Sequence, residues 1–285
     1  MSTAVRISGK TKLYGVIGHP VTHTLSPQLH NTGFNALGLE AAYLPFPVHP
    51  EQLQPAVRGL VALGVCGFNL TVPHKSAILP LLDEVSLIAQ RIGAVNTVRS
   101  DDGKLIGTNT DALGFLRSLA PLDLELRGLR VGVLGAGGSA RALLAGLSES
   151  GAARIFVCNR TPERAEALVS SLQQFVQETE MVAVSLSELE SQPLALLVNT
   201  TTVGMDGVSV PADLERFREI RNVVDIIYRP SQTPLLAQAQ RLSIPNLNGL
   251  GMLLHQGMEA FSFWTGKLAP EAEMRTALNS ALQAD

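Results

Sequence analysis

Short apolar runs alternate with longer amphipathic segments along the first part of the chain. The apolar runs cover residues 13–18, 42–48 and 65–72, and helix-like segments cover residues 27–37 and 50–63. Continuous apolar runs of this length are typical of strands buried on both faces of a parallel sheet. The strand–helix–strand–helix–strand order therefore predicts a mainly parallel sheet with right-handed crossovers.

The start of the first helix carries two hydroxyl groups. Ser26 precedes Pro27, and Gly38 follows the apolar helix face, so Ser26 suits the N-cap and Gly38 the end of the helix. Thr24 lies just before this point. Two interpretations stay open from the residues alone: Ser26 only caps the helix, or Thr24 and Ser26 hold a carboxylate together with free backbone N–H groups.

A β-hairpin is predicted after a helix over residues 84–92. Two apolar runs flank the sequence Asp-Asp-Gly-Lys at residues 101–104, which is typical of a two-residue hairpin turn. That turn fixes a register in which Asn96 lies opposite Asn109. Asn96 and Asp111 are therefore expected at one end of the hairpin.

Residues 131–140 read Val-Gly-Val-Leu-Gly-Ala-Gly-Gly-Ser-Ala, an apolar strand that runs into a G-x-G-x-x-A turn. In a dinucleotide-binding unit, Gly135 allows the tight turn, Gly137 lets the backbone approach the pyrophosphate, and Ala140 lets the helix pack closely on its strand. The pyrophosphate then lies at the helix N-terminus. The motif predicts a Rossmann unit.

The second strand of this unit covers residues 154–158, and no acid follows it to accept from a ribose 2′-hydroxyl, as is usual for NAD. Arg160 and Arg164 follow instead. Two guanidinium groups at this place suit the 2′-phosphate of NADP, so NADP is favoured over NAD.

Further strands are predicted at residues 195–199 and 223–227, a linker at 117–130, and a largely helical tail at 249–284. We expect an α/β protein with an N-terminal αβα substrate domain containing a mainly parallel sheet, a C-terminal Rossmann NADP-binding domain, and a cleft between them. The predicted substrate domain comprises residues 1–112 and 250–285, and the predicted NADP-binding domain comprises residues 113–249.

Composition limits the partners. The 285-residue chain is 46% hydrophobic and 16% charged, with a formal net charge of −3 and no Lys/Arg run. This balance argues against nucleic acid or an anionic membrane as a partner and favours small ligands. Neither a signal peptide nor a membrane-spanning apolar run is recognisable, which predicts a cytoplasmic protein.

No metal or disulfide is expected. Cys66 and Cys158 each lie in an apolar run, which predicts buried free thiols. His19 and His23 have a spacing that could chelate zinc on a helix, but Pro20 argues against that helix.

Two residues stand out as candidates for acid–base chemistry. Lys75 follows the apolar strand at residues 67–73, at the strand end where ligands collect in such sheets. Alone it would be interpreted as a solvated surface charge, and the neighbouring His74 as a solvated loop histidine and a weaker candidate for the general acid. Asp111 opens a helix, where the macrodipole stabilises it whatever the function; alternatively it pairs with Lys75 at a substrate hydroxyl.

The chain resembles the shikimate dehydrogenase family over nearly its full length. The resemblance rests on several separated motifs, each quoted as it stands here: Gly18-His-Pro-Val-Thr-His-Thr-Leu-Ser-Pro27 with His30-Asn31, Asn69-Leu-Thr-Val-Pro-His-Lys75, Gly93-Ala-Val-Asn-Thr97, Gly107-Thr-Asn-Thr-Asp111, Gly135-Ala-Gly-Gly138, Asn159-Arg-Thr161, and Gly249-Leu-Gly-Met-Leu253 with Gln256.

The resemblance implies reversible hydride transfer between NADPH and 3-dehydroshikimate, giving shikimate for aromatic amino acid biosynthesis. It implies that Lys75 exchanges the hydroxyl proton and Asp111 positions that hydroxyl. The remaining implied substrate ligands are Thr24 and Ser26 for the carboxylate, Thr71, Asn96 and Gln256 for hydroxyls, and Tyr228 closing the pocket. The implied cofactor-binding residues are Gly135, Ala136, Gly137, Gly138, Ser139, Asn159, Arg160, Thr161, Arg164, Thr201, Gly249 and Met252.

Without the resemblance, Tyr228 fits a strand-end aromatic, Gln256 a surface residue and Met252 a core residue. Two departures from the family pattern concern Thr24, where Ser is usual, and the loop after residue 199, where Thr200 and Thr202 replace the commoner Ala and Ser. A relative acting on quinate or an amino-shikimate would share nearly every motif, so that alternative stays open, as does a non-catalytic metabolite sensor. The assembly is predicted to be a monomer or a homodimer.

Overall fold

The computed structural model describes residues 7–176 and 178–283. Residues 1–6, from which the absence of a signal peptide was predicted, lie outside this range, as does the end of the predicted helical tail. The chain divides into two compact units. The described residues up to Thr110 and from Leu253 form unit 1, and Asp111–Met252 form unit 2.

The described part of the chain alternates strands and helices from Lys12 onward. The strands are β1 (Lys12–Gly18), β2 (Ala41–Pro47), β3 (Val65–Leu70), β4 (Glu84–Val85), β5 (Thr97–Asp101), β6 (Lys104–Thr108), β7 (Arg130–Leu134), β8 (Arg154–Cys158), β9 (Glu180–Ala183), β10 (Pro193–Leu194), β11 (Leu196–Asn199), β12 (Glu219–Ile220), β13 (Val223–Asp225) and β14 (Asn246–Leu247). The helices are α1 (Ser26–Ala36), α2 (Leu53–Ala62), α3 (Leu87–Ile92), α4 (Asp111–Ser118), α5 (Gly138–Glu149), α6 (Pro162–Gln173), α7 (Leu186–Glu190), α8 (Pro234–Arg241), α9 (Leu250–Thr265) and α10 (Glu271–Gln283).

Unit 1 is built on a sheet whose described strands run in the order β2-β1-β3-β5-β6-β4. Strands β2, β1 and β3 are parallel, and β5 and β6 form an antiparallel hairpin. Asp101 pairs with Lys104 across the hairpin, so the register predicted from its two-residue turn is confirmed. Helix α10 packs against α1 within the same unit.

Two local predictions in unit 1 need correction. Helix α1 begins at Ser26 itself, with Leu25 at the N-cap and no side-chain cap, so Ser26 is not the capping residue. The predicted helix over residues 84–92 starts later, at Leu87. Val85 pairs with Gly107 as part of β4, and the Ser86 side chain then caps the helix by accepting a hydrogen bond from Ala89 N.

Unit 2 has the Rossmann arrangement. Its described strands run in the order β14-β13-β11-β7-β8-β9, and every neighbouring pair is parallel. Counted along the chain from β7, this is the doubly wound order in which the chain direction across the sheet switches between β7 and β11. Ligands bind outside the carboxyl ends of the strands at such a switch point. The predicted two-domain α/β fold with mainly parallel sheets and a Rossmann sheet is confirmed.

The segment predicted as a linker at residues 117–130 belongs to the core of unit 2. Its leucines pack on the buried cluster that contains Val131, Val133 and Leu143, and Leu119 is itself 3% exposed. Apolar side chains recurring at nearly every second or third position explain this packing, because their burial outweighs the freedom of a solvated loop.

Neither cysteine forms a disulfide. Cys158 is buried and Cys66 half-buried, and both are free, so burial of Cys66 is less complete than predicted. Among the described residues, no three His, Cys, Asp or Glu side chains come together as potential metal ligands. No helix in this part of the chain is long and apolar enough to cross a membrane.

Candidate active site and cofactor site

Lys75, the lysine of the predicted acid–base pair, lies in the loop that follows the end of β3 at Leu70. Thr71 continues the sheet by donating its N–H to Ile17 O at 2.9 Å. His74 is 1% exposed, and its Nε2 lies 2.8 Å from Val48 O. His74 is therefore a buried structural residue, which corrects its interpretation as a solvated loop histidine. Lys75 is half-buried, and its carbonyl accepts from Val95 N at 2.8 Å.

The two hydroxyls predicted to bind a carboxylate contact each other. Thr24 Oγ1 donates to Ser26 Oγ at 3.1 Å and accepts from Ser26 N at 3.3 Å. Thr24 Oγ1 is thus a partner for the N–H of the first residue of α1. Ser26 is buried.

Asn96 lies at the end of the hairpin in a buried polar cluster. Its Oδ1 accepts from Thr110 N and from Thr97 Oγ1, both at 2.9 Å, and its Nδ2 donates to Thr110 Oγ1 at 3.0 Å. Every polar atom of a buried amide needs a partner, and these bonds hold the Asn96 side chain in one orientation. Asn96 is 2% exposed.

Tyr43 and Asn69 extend the buried Asn96 cluster within unit 1, and neither was predicted from the sequence as a site residue. Tyr43 Oη donates to Asn69 Oδ1 at 2.6 Å, and Asn69 Nδ2 donates to Asn96 O at 3.1 Å and Thr97 Oγ1 at 3.0 Å. An amide inside the apolar strand β3 was the available signal for Asn69. Tyr43 gave none, since a tyrosine in an apolar strand is common.

Three further predicted substrate or cofactor residues lie in or before α9. Gln256 is half-buried, and its Nε2 donates to Leu253 O at 2.9 Å. Met252 is 8% exposed and belongs to the buried core cluster of unit 2, so its core interpretation holds. Gly249 is buried, and a Cβ there would lie 1.9 Å from Ile226 O. Only glycine fits this close approach.

Asp111 and Tyr228 belong to unit 2. Asp111 is the first residue of α4 and is 3% exposed. A carboxylate in the first helical turn is stabilised by the helix dipole. Tyr228 follows β13 and is half-buried.

The glycine turn after β7 has the geometry that the motif predicts. Gly135 has a φ of +108°, and a Cβ there would lie 2.5 Å from Thr200 Oγ1. Its N–H donates to Cys158 O at 2.7 Å. Gly137 is exposed, nothing lies within 4 Å of where its Cβ would be, and it precedes α5 without a side-chain cap. The first N–H groups of α5, from Gly138 and Ser139 onward, therefore suit an anion.

The loop after β8 offers cations. Arg160 and Arg164 are both exposed, and Asn159 Nδ2 donates to Thr161 O at 2.8 Å, which shapes the turn into α6. Exposed guanidinium groups at this strand end, together with the open backbone at Gly137, fit the phosphate groups of NADP.

A buried amide–carboxylate pair holds the loops after β11 and β13. Asn199 Oδ1 accepts from Thr201 N at 3.0 Å and Thr201 Oγ1 at 2.7 Å, while its Nδ2 donates to Asp225 Oδ1 at 3.0 Å. Asp225 also accepts from Thr233 Oγ1 at 2.7 Å. Burial raises the pKa of the Asp225 carboxyl, and the hydrogen bonds from Thr233, Ile227 and Asn199 oppose that shift. This pair fixes Thr201 at the switch point of the sheet.

Three family models match successive parts of the chain. The shikimate dehydrogenase substrate-binding domain matches residues 16–98, the shikimate/quinate 5-dehydrogenase model residues 118–197, and the shikimate 5′-dehydrogenase C-terminal domain residues 249–278. The shikimate dehydrogenase (NADP(+)) of Citrifermentans bemidjiense is 46% identical over 97% of both chains. The chain belongs to the shikimate dehydrogenase family.

Solved structures of the shikimate dehydrogenase family and of quinate dehydrogenase match as well. The Thermus thermophilus shikimate 5-dehydrogenase in complex with NADP(H) and shikimate is 41% identical, with a TM-score of 0.86, over 95% of this chain and 100% of that one. The quinate dehydrogenase of Corynebacterium glutamicum in complex with NAD is 31% identical, with a TM-score of 0.87, over 95% and 99%. The resemblance drawn from the sequence motifs is confirmed.

Proposed function

We propose that this chain is an NADP-dependent shikimate dehydrogenase that interconverts shikimate and 3-dehydroshikimate. The observation that carries the proposal is the placement of half-buried Lys75 directly after β3, in the same unit as the hydrogen-bonded hydroxyls of Thr24 and Ser26 and the amide of Asn96. This unit offers a proton-transfer group together with ligands for a carboxylate and hydroxyls. Names and bound ligands of similar proteins support the assignment.

Unit 2 is proposed to bind the cofactor. Gly135, Ala136 and Gly137 would form the turn beneath the pyrophosphate, with Gly138 and Ser139 at the start of α5 donating backbone N–H groups. Arg160 and Arg164, supported by the Asn159–Thr161 turn, would hold the 2′-phosphate. Thr201, Gly249 and Met252 are proposed to lie at the nicotinamide side. When bound, the nicotinamide ring supplies the hydride acceptor.

Lys75 and Asp111 are proposed as the acid–base pair. In the oxidative direction, the unprotonated Lys75 amine takes the proton of the substrate hydroxyl, while the hydride leaves the carbon that bears this hydroxyl. In the reductive direction, the Lys75 ammonium returns that proton to the developing alkoxide. Asp111 accepts a hydrogen bond from the hydroxyl and orients it.

The remaining predicted binding residues are proposed to contact different groups of the substrate. Thr24 and Ser26 are proposed to bind the carboxylate, and Thr71, Asn96 and Gln256 the ring hydroxyls, while Tyr228 closes the pocket. A site built to hydrogen-bond each hydroxyl rejects analogues that lack one, because its buried polar groups are then left without partners. The substrate-domain limits of residues 1–112 and 250–285, the cytoplasmic location and the monomeric or homodimeric state stay predictions.

Quinate oxidation is the second candidate. The similarity to a quinate dehydrogenase solved with NAD favours it. The cofactor side opposes it, because Arg160 and Arg164 suit a 2′-phosphate and no acid follows β8 to accept from the ribose 2′-hydroxyl of NAD.

A four-way steady-state assay tests the proposal. Shikimate and quinate are each oxidised with NADP and with NAD, and the reduced nicotinamide is followed by absorbance. We expect shikimate with NADP to give the highest kcat/KM. A higher value for quinate, or for NAD, would replace the proposed substrate or cofactor. Tight binding of shikimate with no turnover in any arm would instead favour a metabolite sensor.

A further inference from the structure

His74 is a buried residue of the loop after β3 that the proposed mechanism does not use. Its backbone N–H donates to Thr71 O at 2.9 Å, and its carbonyl accepts from Ile78 N at 3.1 Å. The ring Nε2 lies 2.8 Å from Val48 O. His74 is thus bonded through both backbone groups and through its ring, and it directly precedes Lys75 in the chain.

The chemistry of Val48 O sets the direction of the ring hydrogen bond. A carbonyl only accepts, so Nε2 of His74 carries a proton and donates it. His74 is 1% exposed, and this proton is committed to the bond. The ring therefore acts as a fixed donor within the fold, and Nε2 does not serve as a general acid.

The acceptor of this bond is itself held in place. Val48 N donates to Gly18 O at 3.0 Å, which ties the residue after β2 to the last residue of β1. Strand β1 lies between β2 and β3 in the sheet. The His74 ring therefore connects the loops after the two strands that flank β1, a connection that hydrogen bonds between neighbouring strands cannot make.

Lys75 is held on its other side as well. Its carbonyl accepts from Val95 N at 2.8 Å. With His74 fixed before it and this bond after it, the backbone of Lys75 has little freedom, and its side chain starts from a defined position. Proton transfer depends on such positioning, because a displacement of about 1 Å can cost roughly 10²-fold in rate.

We propose that His74 is a positioning residue for the acid–base step: its ring, bonded to Val48 O, fixes the segment from which Lys75 reaches the substrate. The inference rests on the proposed function. It predicts a loss of turnover rather than of affinity, because Thr71, the candidate hydroxyl ligand of the same loop, is held by its own bond to Ile17 O at 2.9 Å.

The test compares three variants of His74. Phenylalanine keeps a ring and has no donor, so the bond to Val48 O is lost. Glutamine can place its amide nitrogen close to the position of Nε2, whereas the shorter asparagine does not reach it. We expect His74→Phe and His74→Asn to lower kcat about ten- to hundred-fold and to change the Kd of shikimate and of NADP by less than about three-fold. His74→Gln should restore most of the lost kcat.

His30→Phe is the matched control. Both histidines are buried in unit 1, but neither ring nitrogen of His30 has a hydrogen-bond partner among the described residues. The same replacement at His30 therefore removes no hydrogen bond, and kcat should stay as in the wild type. All variants are assayed at a temperature at which circular dichroism shows them to be folded.

A double-mutant cycle with Lys75→Ala separates positioning from a direct or a general effect. If His74 acts through Lys75, His74→Phe should lower the residual turnover of Lys75→Ala by less than about two-fold. A loss as large as in the wild-type background would overturn the inference. So would a normal kcat in His74→Phe, or a His74→Gln variant as slow as His74→Asn. If His74→Phe does not fold, His74→Asn takes its place in the cycle.

Wild-type turnover separates the positioning role from the proposed function. A wild type that does not oxidise shikimate would contradict the proposed function itself. A wild type that does, with a kcat insensitive to His74, would contradict only the positioning role.

Discussion

The candidate binding residues of the two units differ in their burial and in the hydrogen bonds that they make within the protein. In unit 1, Ser26 and Asn96 are 7% and 2% exposed, and Asn96 is joined with Asn69 and Tyr43 in one buried hydrogen-bond network. In unit 2, by contrast, Gly137, Arg160 and Arg164 are exposed.

This difference indicates two modes of recognition. A network of neutral amides and hydroxyls in a buried site fixes the geometry of each donor, and a change at one member is felt by the others. Separate exposed cations attract phosphate at longer range and act nearly independently. We therefore expect coupled effects of substitution in unit 1 and additive effects at the cofactor residues of unit 2.

The largest effect should come from the acid–base pair. Lys75→Ala should lower kcat by about 10²- to 10⁴-fold, since proton transfer then has no positioned group. The Kd of shikimate should change far less, and a calorimetric titration beside the steady-state assay measures both. Lys104→Ala is the matched control, because Lys104 is an exposed lysine of the same unit. It lies on the hairpin and forms an ion pair with Glu84 of β4. Near-normal turnover in Lys75→Ala would refute the assigned role.

The arginine after β8 should affect the choice of cofactor. Arg160→Ala should raise the KM of NADP about ten-fold or more, the loss expected for a charge-assisted hydrogen bond, and leave the KM of NAD nearly unchanged. Arg221→Ala removes another exposed arginine of unit 2, one paired with Glu219, and should change neither value. Equal losses for NADP and NAD would show that Arg160 does not read the 2′-phosphate.

The glycine turn supplies a contrast between two positions. Gly135→Ala should lower the free energy of unfolding by about 1–3 kcal/mol, because Gly135 has a φ of +108° and its Cβ would lie 2.5 Å from Thr200 Oγ1. Gly59→Ala in α2 should raise it by roughly 0.5–1 kcal/mol, since nothing lies within 4 Å of that Cβ. Denaturant titrations compare both variants with the wild type, and a neutral Gly135→Ala would contradict the tight turn.

Unit 1 should also be sensitive to acid through His30. Complete burial lowers the pKa of His30 to about 3, whereas the unfolded chain has an ordinary histidine pKa of about 6.5. Between these values the unfolded state binds the extra proton, so stability falls as the pH drops from 6.5 toward 3, by about 1.4 kcal/mol for each pH unit. His30→Phe should flatten this part of the stability–pH curve.

His49→Phe is the control for that experiment, since the side chain of His49 is largely exposed. Its curve should follow that of the wild type. A His30→Phe variant that loses stability with acid as steeply as the wild type would assign the sensitivity to another group.

Regular local signals accounted for much of the fold. The apolar runs predicted the parallel strands of both sheets, and the two-residue turn at residues 101–104 was enough to predict the register of β5 and β6. The glycine motif predicted the turn after β7, because a positive φ and a close approach leave little choice of residue.

The residue predictions that were wrong or missing concern contacts between parts of the chain that are distant in sequence. His74 looks like a loop residue in the sequence, but Val48, which is distant in the chain, offers its carbonyl to the ring. Ser26 suits a helix cap in the sequence, but it is the first residue of α1, and its N–H donates to Thr24 Oγ1. The Tyr43–Asn69 bridge joins β2 to β3, which are not neighbours in the sheet, and no local pattern encodes such a contact.

The division of recognition between the two units is tested most directly by titrating wild type, Ser26→Ala and Arg160→Ala each with shikimate and with NADP in a calorimeter. We predict that Ser26→Ala raises only the Kd of shikimate and that Arg160→Ala raises only the Kd of NADP. A variant that weakens both ligands equally, or weakens only the ligand assigned to the other unit, would contradict the account.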